Sequence, residues 1–427
     1  MPINPRLILV LLLAFGRPAL AQTTIPASSA DWIVDGILTT TTFGLRVGLA
    51  GDINGDGYDD VLIGDPSFDG ILTQTGRLSL HLGSTGGVST TPSWTLEGTT
   101  AFERMGWFHV LGDVNADGFD DFLVVESGFV INRRLSLFLG SSGGPVASTW
   151  SASGMPVGSG DINGDGVDDL VVSNSSLFEV FLGSSAGLET IASTSLLIPK
   201  AVYEGVVQDV NGDGYADLAY LYSDCPNKHC NVPLSNLAIH LGSASGLETQ
   251  PRRTIAFAAD DYARFISPAG DLNGDGFGDL SVLIEGGVSR LDHVLVFYGS
   301  RTGFRPRPDT ALQVPIGSVV FETEGIGGAG DLNGDGFGDL LVATLFGPNP
   351  LDWSLLVLRG GPTGVSTTPS TIIQYEHVGD RFAWSVSGEG DVNGDGFGDI
   401  IAGARSVDAG GGLRRGRGYL FHGSPSF

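Results

Sequence analysis

Asp52-Ile53-Asn54-Gly55-Asp56-Gly57-Tyr58-Asp59-Asp60 is the first of seven copies of one pattern, Asp-x-Asn-x-Asp-Gly-x-x-Asp. The others begin at Asp113, Asp161, Asp209, Asp271, Asp331 and Asp391, at separations of 61, 48, 48, 62, 60 and 60 residues. Such spacing is too short for separate domains and suits a unit of four short strands with their turns. Each copy runs into an apolar stretch that reads as a buried strand, as in Val61-Leu62-Ile63 and Leu170-Val171-Val172. A second apolar strand ends in Gly-Ser, as at Gly83-Ser84 and Gly299-Ser300, with Gly360-Gly361 in the sixth copy. A further short strand, such as Ser93-Trp94-Thr95, precedes the next copy, and a Gly-punctuated inner segment such as Phe43-Gly44-Leu45-Arg46-Val47-Gly48 leads into each loop. Four strands per repeat make the blade of a propeller.

The ends of the chain bear on closure. The seventh copy stops at Gly423-Ser424 with three residues beyond and so lacks a fourth strand, while Asp31-Trp32-Ile33-Val34-Asp35 is a surplus strand ahead of the first copy. Pairing the two closes a ring and removes the open edges. The expected fold is an all-β, seven-bladed β-propeller of four-stranded antiparallel blades, closed by an N-terminal strand that completes the last blade. The expected organisation is a signal peptide over residues 1–21, a linker over 22–30 and the propeller over 31–427.

The spacing within the loop points to Ca²⁺. Calcium is a hard cation that takes six to eight oxygen ligands, and alternate residues of a tightly curled loop point inward. Asp52, Asn54 and Asp56 offer side-chain oxygens, Gly57 allows the turn, Tyr58 offers its carbonyl and Asp60 completes the set. The equivalent sets are Asp113, Asn115, Asp117, Phe119 and Asp121; Asp161, Asn163, Asp165, Val167 and Asp169; and Asp209, Asn211, Asp213, Tyr215 and Asp217. The last three are Asp271, Asn273, Asp275, Phe277 and Asp279; Asp331, Asn333, Asp335, Phe337 and Asp339; and Asp391, Asn393, Asp395, Phe397 and Asp399. An Asx-rich turn without metal is the plain alternative for one copy, but a turn has no need of seven undamaged sets of carboxylates. The residue before the final Asp is Asp59, Asp120, Asp168, Ala216, Gly278, Gly338 or Gly398, and a position that tolerates loss of every oxygen is not a ligand. Ala116 replaces Gly at the fourth position of the second loop and removes no donor. Up to seven Ca²⁺ are expected.

The sequence resembles the FG-GAP repeat family, the seven-bladed propeller at the head of integrin α subunits and its bacterial relatives. The namesake dipeptide stands as Phe43-Gly44, with counterparts at Met105-Gly106 and Phe382-Ala383, and the later tripeptide as Gly64-Asp65-Pro66 and Gly403-Ala404-Arg405. The resemblance covers nearly all of the chain after residue 21, and elsewhere the flanks have decayed while the Asp loop has not. It implies a secreted bacterial-type propeller, without the leg domains or membrane span of an integrin receptor.

Composition narrows the partners. Lys+Arg number 22 against 48 Asp+Glu, a formal charge of −26, which repels nucleic acid and anionic lipid. The first, fifth and ninth positions of the loops hold 21 of those 48 acids, and seven Ca²⁺ would bring the charge to −12. The apolar run from Leu7 to Phe15 is too short to span a bilayer of about 30 Å. With Ala19-Leu20-Ala21 after it, the run reads as a signal peptide cleaved near Ala21, implying export to the extracellular space or periplasm. In such a compartment Cys225 and Cys230 are expected to form a local disulfide.

Alternation of strands puts the Asp loops and the Gly-Ser turns on one face and the irregular loops on the other, where recognition is expected. Those loops are Phe68 to Thr75, Asp224 to Asn236, Phe346 to Trp353 and Asp408 to Arg417. Arg414-Arg415-Gly416-Arg417 reads as a solvated tip, or as a contact for an anionic glycan or protein carboxylates. Trp353 reads as packing under its loop, with stacking on a sugar as the alternative, and Trp32, Trp94 and Trp150 as packing between blades. No catalytic constellation is evident: there is no Gly-x-Ser-x-Gly elbow and no His-Glu-x-x-His helix. The expected function is a binding or adhesion module for a protein or glycan ligand, acting as a monomer and not an enzyme. A calcium-dependent lectin is the alternative, and a polysaccharide lyase or hydrolase a more distant one.

Overall fold

The computed structural model describes residues 22–37, 40–126, 133–174, 177–198, 205–223, 236–258, 261–286, 292–313, 325–345, 353–407 and 414–427. Seven antiparallel four-stranded sheets follow one another along the chain, spanning residues 46–97, 107–153, 155–197, 205–256, 261–313, 326–374 and 385–421. Neighbouring first strands touch all the way round, and that of blade 7, Ser385–Gly390, meets that of blade 1, Arg46–Leu49. The seven-bladed propeller read from the repeats is the fold.

Blade 7 takes its fourth strand from the start of the chain, as expected. Trp32–Asp35 runs antiparallel to Arg414–Phe421, with Trp32 opposite Leu420 and Asp35 opposite Arg417. The preceding stretch, expected as a linker over 22–30, holds a strand of its own. Thr23–Pro26 pairs in parallel with Thr371–Gln374 and adds a fifth strand to blade 6, before a turn of 3₁₀-helix at Ala27–Ser29 leads to blade 7. No periodicity announces this strand; Thr23, Thr24 and Ile25 have β-formers' side chains, and what orders them is the free edge of blade 6.

Burial explains the strand patterns. Blades stack face to face, so a second strand is covered on both sides: Val61, Leu62 and Ile63 are all fully buried, as are Leu170, Val171 and Val172. Such strands read as unbroken apolar runs rather than alternations. Fourth strands lie at the rim and alternate, as in Thr194–Leu197, where Leu196 alone is buried. Trp32, Trp94 and Trp150 pack between blades as expected. Each meets an aromatic ring on the third strand of the next blade edge to face: His81 at 5.3 Å, Phe138 at 5.5 Å and Phe181 at 5.4 Å. Cys225 and Cys230, the Asp224 to Asn236 loop up to residue 235, and the 1–21 segment lie outside the described residues.

Candidate metal loops and the axial cavity

Each Asp loop joins the first and second strands of its blade, and its turns are set by backbone hydrogen bonds to its own side chains. In blade 1 the Asp52 carboxylate accepts N–H groups from Gly55, Asp56 and Gly57 at 2.6, 3.0 and 2.7 Å, and Asp56 accepts that of Tyr58 at 3.2 Å. The bonds from the sixth to the first position and from the seventh to the fifth recur in every loop, as with Gly396 to Asp391 at 2.8 Å and Phe397 to Asp395 at 3.0 Å. Gly55 and Gly57 have φ of +75° and +89°, the left-handed region the tight curl requires.

The ninth-position Asp turns inward. Asp60, Asp121, Asp169, Asp217, Asp279, Asp339 and Asp399 are all fully buried, and one oxygen of each accepts the N–H of the glycine that ends the third strand, at 2.8 to 3.0 Å. That contact explains the Gly of the Gly-Ser turn. In six blades the other oxygen accepts the loop's second N–H, such as Val114 on Asp121 at 3.0 Å. In blade 1 Ile53 N–H bonds to the Gly51 carbonyl instead, and Asp60 Oδ2 is buried without a hydrogen bond. Burial above all, with the charge of the fifth-position Asp and, except at Asp339, that of the first-position Asp beside them, pushes Asp60, Asp121, Asp169, Asp217, Asp279 and Asp339 up to about 7.

The chemistry of this donor set fits a hard dication: three carboxylates and an amide oxygen in one loop, one carboxylate buried among like charges, and in blade 1 a carboxylate oxygen with no hydrogen bond. Among the described residues, no three or more His, Cys, Asp or Glu side chains stand as a ready metal-holding group. The structure gathers the donors into each loop and holds them on backbone N–H groups.

Two features of the loops escape a reading blade by blade. First, the loops form a ring of their own. The eighth-position N–H donates to the first-position carbonyl of the preceding blade in all seven cases: Asp120 to Asp52 at 3.1 Å, Gly398 to Asp331 at 2.9 Å and, across the closure, Asp59 to Asp391 at 3.2 Å. The side chains of Asp59 and Asp120 reinforce this by accepting the N–H of Asp391 and Asp52, each at 2.7 Å. Second, the seventh-position ring lies against the fourth-position glycine of the preceding loop. A Cβ on Gly55 would stand 2.4 Å from the Phe119 ring, and one on Gly394 2.6 Å from that of Tyr58. The seventh residue therefore has a packing role that its side chain alone did not disclose.

The first strands enclose an axial cavity of about 710 Å³. Arg46, Arg133 and Arg264 line it toward the face opposite the Asp loops, with Trp107 and Phe265, while Glu389 lines it at the loop end. Glu389 aligns with Ala50, Ala269 and Ala329 of other blades and holds φ of +71°. Burial holds the neutral form of His109 and brings its pKa down to about 4, with Arg46 adding to the shift. The cationic stretch singled out by sequence, residues 414–417, behaves otherwise. Arg417 is tied to Asp35 and Glu376, at 2.5 and 2.8 Å, and serves the ring closure. Trp353 is buried and stacks on Trp384 at 5.2 Å, so packing is its role. On the Phe68 to Thr75 loop, Phe68 is buried beneath the Arg77 guanidinium, whereas Ile71 is wholly exposed, and Phe102 beside it is 63% exposed.

An FG-GAP repeat matches residues 43–81, and an FG-GAP-like repeat matches residues 161–220. The chain is an FG-GAP repeat protein. The structure gives the family's two signatures one physical reason: a Cβ on Gly403 would lie 2.0 Å from the Gly44 carbonyl, and one on Gly64 1.9 Å from that of Gly106. The FG-GAP glycines of adjacent blades thus allow two backbones to touch. The chain is similar to integrin alpha-IIb of Mus musculus, 34% identical over 145 residues, which are 32% of this chain and 14% of that protein. Integrin alpha-IIb of Homo sapiens is 34% identical over 158 residues, 34% and 14% of the two chains, and integrin alpha-5 of Xenopus laevis 32% identical over 176 residues, 38% and 16%. The matched stretch thus spans at most 16% of these relatives' length. In three dimensions the FG-GAP propeller is similar to a chain in the crystal structure of BBS1N in complex with ARL6DN. The TM-score is 0.51 at 10% identity, covering 92% of this chain and 96% of that one, a likeness of fold alone. No helix among the described residues is long and apolar enough to cross a membrane.

Proposed function

We propose that this chain is a secreted, calcium-stabilised binding module that recognises a protein or glycan through the face opposite the Asp loops, with no catalytic role. The observation that carries the reading is the division of labour between the faces. On one face, seven loops of like sequence are locked to each other and to their blades by the same hydrogen bonds. On the other, the loops differ in length and sequence, and the one at residues 68–75 exposes Ile71 and Leu72, with Phe102 beside it. Variable loops on a rigid frame are the usual place for recognition.

In this reading Asp52, Asn54, Asp56, Asp60 and the Tyr58 carbonyl, with their equivalents in the other six loops, hold one Ca²⁺ each. The ion supplies positive charge where the buried ninth-position carboxylate meets those of the first and fifth positions, and so acts on stability rather than on a reaction. Extracellular calcium modules bind at about 10⁻⁴ to 10⁻³ M, so at about 1 mM ion each site adds roughly 0.4 to 1.4 kcal/mol, and seven add roughly 3 to 10. For a chain of this length that is a shift of about 4 to 12 °C in Tm. EDTA is expected to lower Tm by that amount and added calcium to restore it; a melt indifferent to both would refute the metal assignment. A glycan array and a protein-capture screen, each with and without calcium, then decide between a lectin and a protein-binding module, and silence in both would end the recognition reading.

A further inference from the structure

We propose that the axial cavity is a binding site for a carboxylate borne on a ring-sized body, entered from the face opposite the Asp loops and anchored at Arg133. The proposal rests on the reading of that face as the recognition face. At about 710 Å³ the cavity is within the range of roughly 300 to 1,000 Å³ typical of small-ligand sites.

Its lining is polarised along the axis. Arg46, Arg133 and Arg264 stand toward the face opposite the Asp loops, and Glu389 stands at the loop end. Arg46 begins its first strand, and Glu389 matches the register of Ala50, four residues further on, a separation of about 13 Å. In a chain of formal charge −26, a cationic entrance is a local reversal of sign, and a cleft of this kind focuses the field on an anion. The three guanidiniums differ in what they already hold. Arg264 is bound to Glu285, and Arg46 lies over the Phe108 ring at 5.6 Å. Arg133 is half-buried, and among the described residues no carboxylate stands within ion-pair distance of it. Burial alone lowers its pKa, the mark of a cation without a counter-charge.

A partly dehydrated guanidinium binds a carboxylate with two parallel hydrogen bonds. The half-exposed Trp107 and Phe265 supply flat apolar walls for a ring. Sugar acids and aromatic acids both carry this chemistry.

Isothermal titration of the full, calcium-loaded chain with D-galacturonate, benzoate and neutral methyl β-galactopyranoside tests the site. At least one acid is expected to bind ten times more tightly than the neutral sugar and to weaken as salt is raised. Arg133→Gln is expected to cut that affinity at least tenfold with an unchanged Tm, Arg133→Lys less severely, and Arg414→Gln, on the exposed rim, not at all. Galacturonate alone identifies sugar acids as the source, and benzoate alone aromatic acids. If neither acid outbinds the neutral sugar, or if Arg133→Gln binds as the parent does, the site is disproved. Array or capture hits from a chain that ignores both acids defeat the cavity site and leave the recognition face standing.

Discussion

Ala116 is the one fourth-position residue of the seven loops that is not glycine, and it holds φ of +56°. The residue in register with it on the next blade is Val167, the one seventh-position residue that is not aromatic. In the other six loops a phenyl or phenol ring fills the space above glycine, closest at Gly55 and Gly164, where an added Cβ would be 2.4 Å from Phe119 and Tyr215. Ala with Val, or Gly with an aromatic ring, are two solutions to one volume. Gly55→Ala is therefore expected to destabilise the chain by more than the roughly 1–2 kcal/mol of a left-handed alanine, because the ring must also move. Phe119→Val in the same chain is expected to recover part of that loss. Denaturant midpoints of the two single variants and the double variant measure the coupling, and strict additivity would dismiss it. The repeating Asp and Asn positions of the loops were legible from spacing alone, and Ala116 stood out as an exception. Its counterpart was not legible, because it lies in another blade and only the closed ring sets the two side by side.

Among the elements, the fourth strands show how tryptophan ties one blade to the next. Trp150 is buried, stands edge-on to Phe181 at 5.4 Å and donates Nε1–H to the Glu189 carbonyl at 2.8 Å, so one side chain of blade 2 makes two contacts with blade 3. Trp150→Ala is expected to cost about 3–5 kcal/mol, and Trp150→Phe, which keeps most of the packing, about 1–2 kcal/mol for the lost hydrogen bond and the smaller ring. Equal losses for the two variants in a calcium-loaded unfolding titration would remove the packing argument. The tryptophans were legible because they repeat at one register. Thr23–Pro26 was not, since a strand added to an existing edge needs no amphipathic pattern of its own. Nor were the cavity arginines: Arg46, Arg133 and Arg264 come from two first strands and a loop, with no period linking them.

At the scale of the whole molecule, the six buried carboxyls held near 7 make a prediction about acidity. An unfolded aspartate titrates near 3.9, so between about pH 4 and pH 7 the metal-free folded chain binds more protons than the unfolded one. Metal-free stability must then fall as pH rises through that window. Tm in EDTA is expected to drop from pH 5 to pH 8, and in calcium, which favours the carboxylate, the slope is expected to flatten or reverse; a flat profile in EDTA would contradict the carboxyl assignment. The leading segment holds a mechanical consequence. Thr23–Pro26 is pinned to blade 6 and Trp32–Asp35 to blade 7, so it acts as a belt buckled twice across the seam of the ring. A pull along that belt loads the hydrogen bonds of each buckle side by side instead of peeling them singly, and the seam resists tension as a shear joint does.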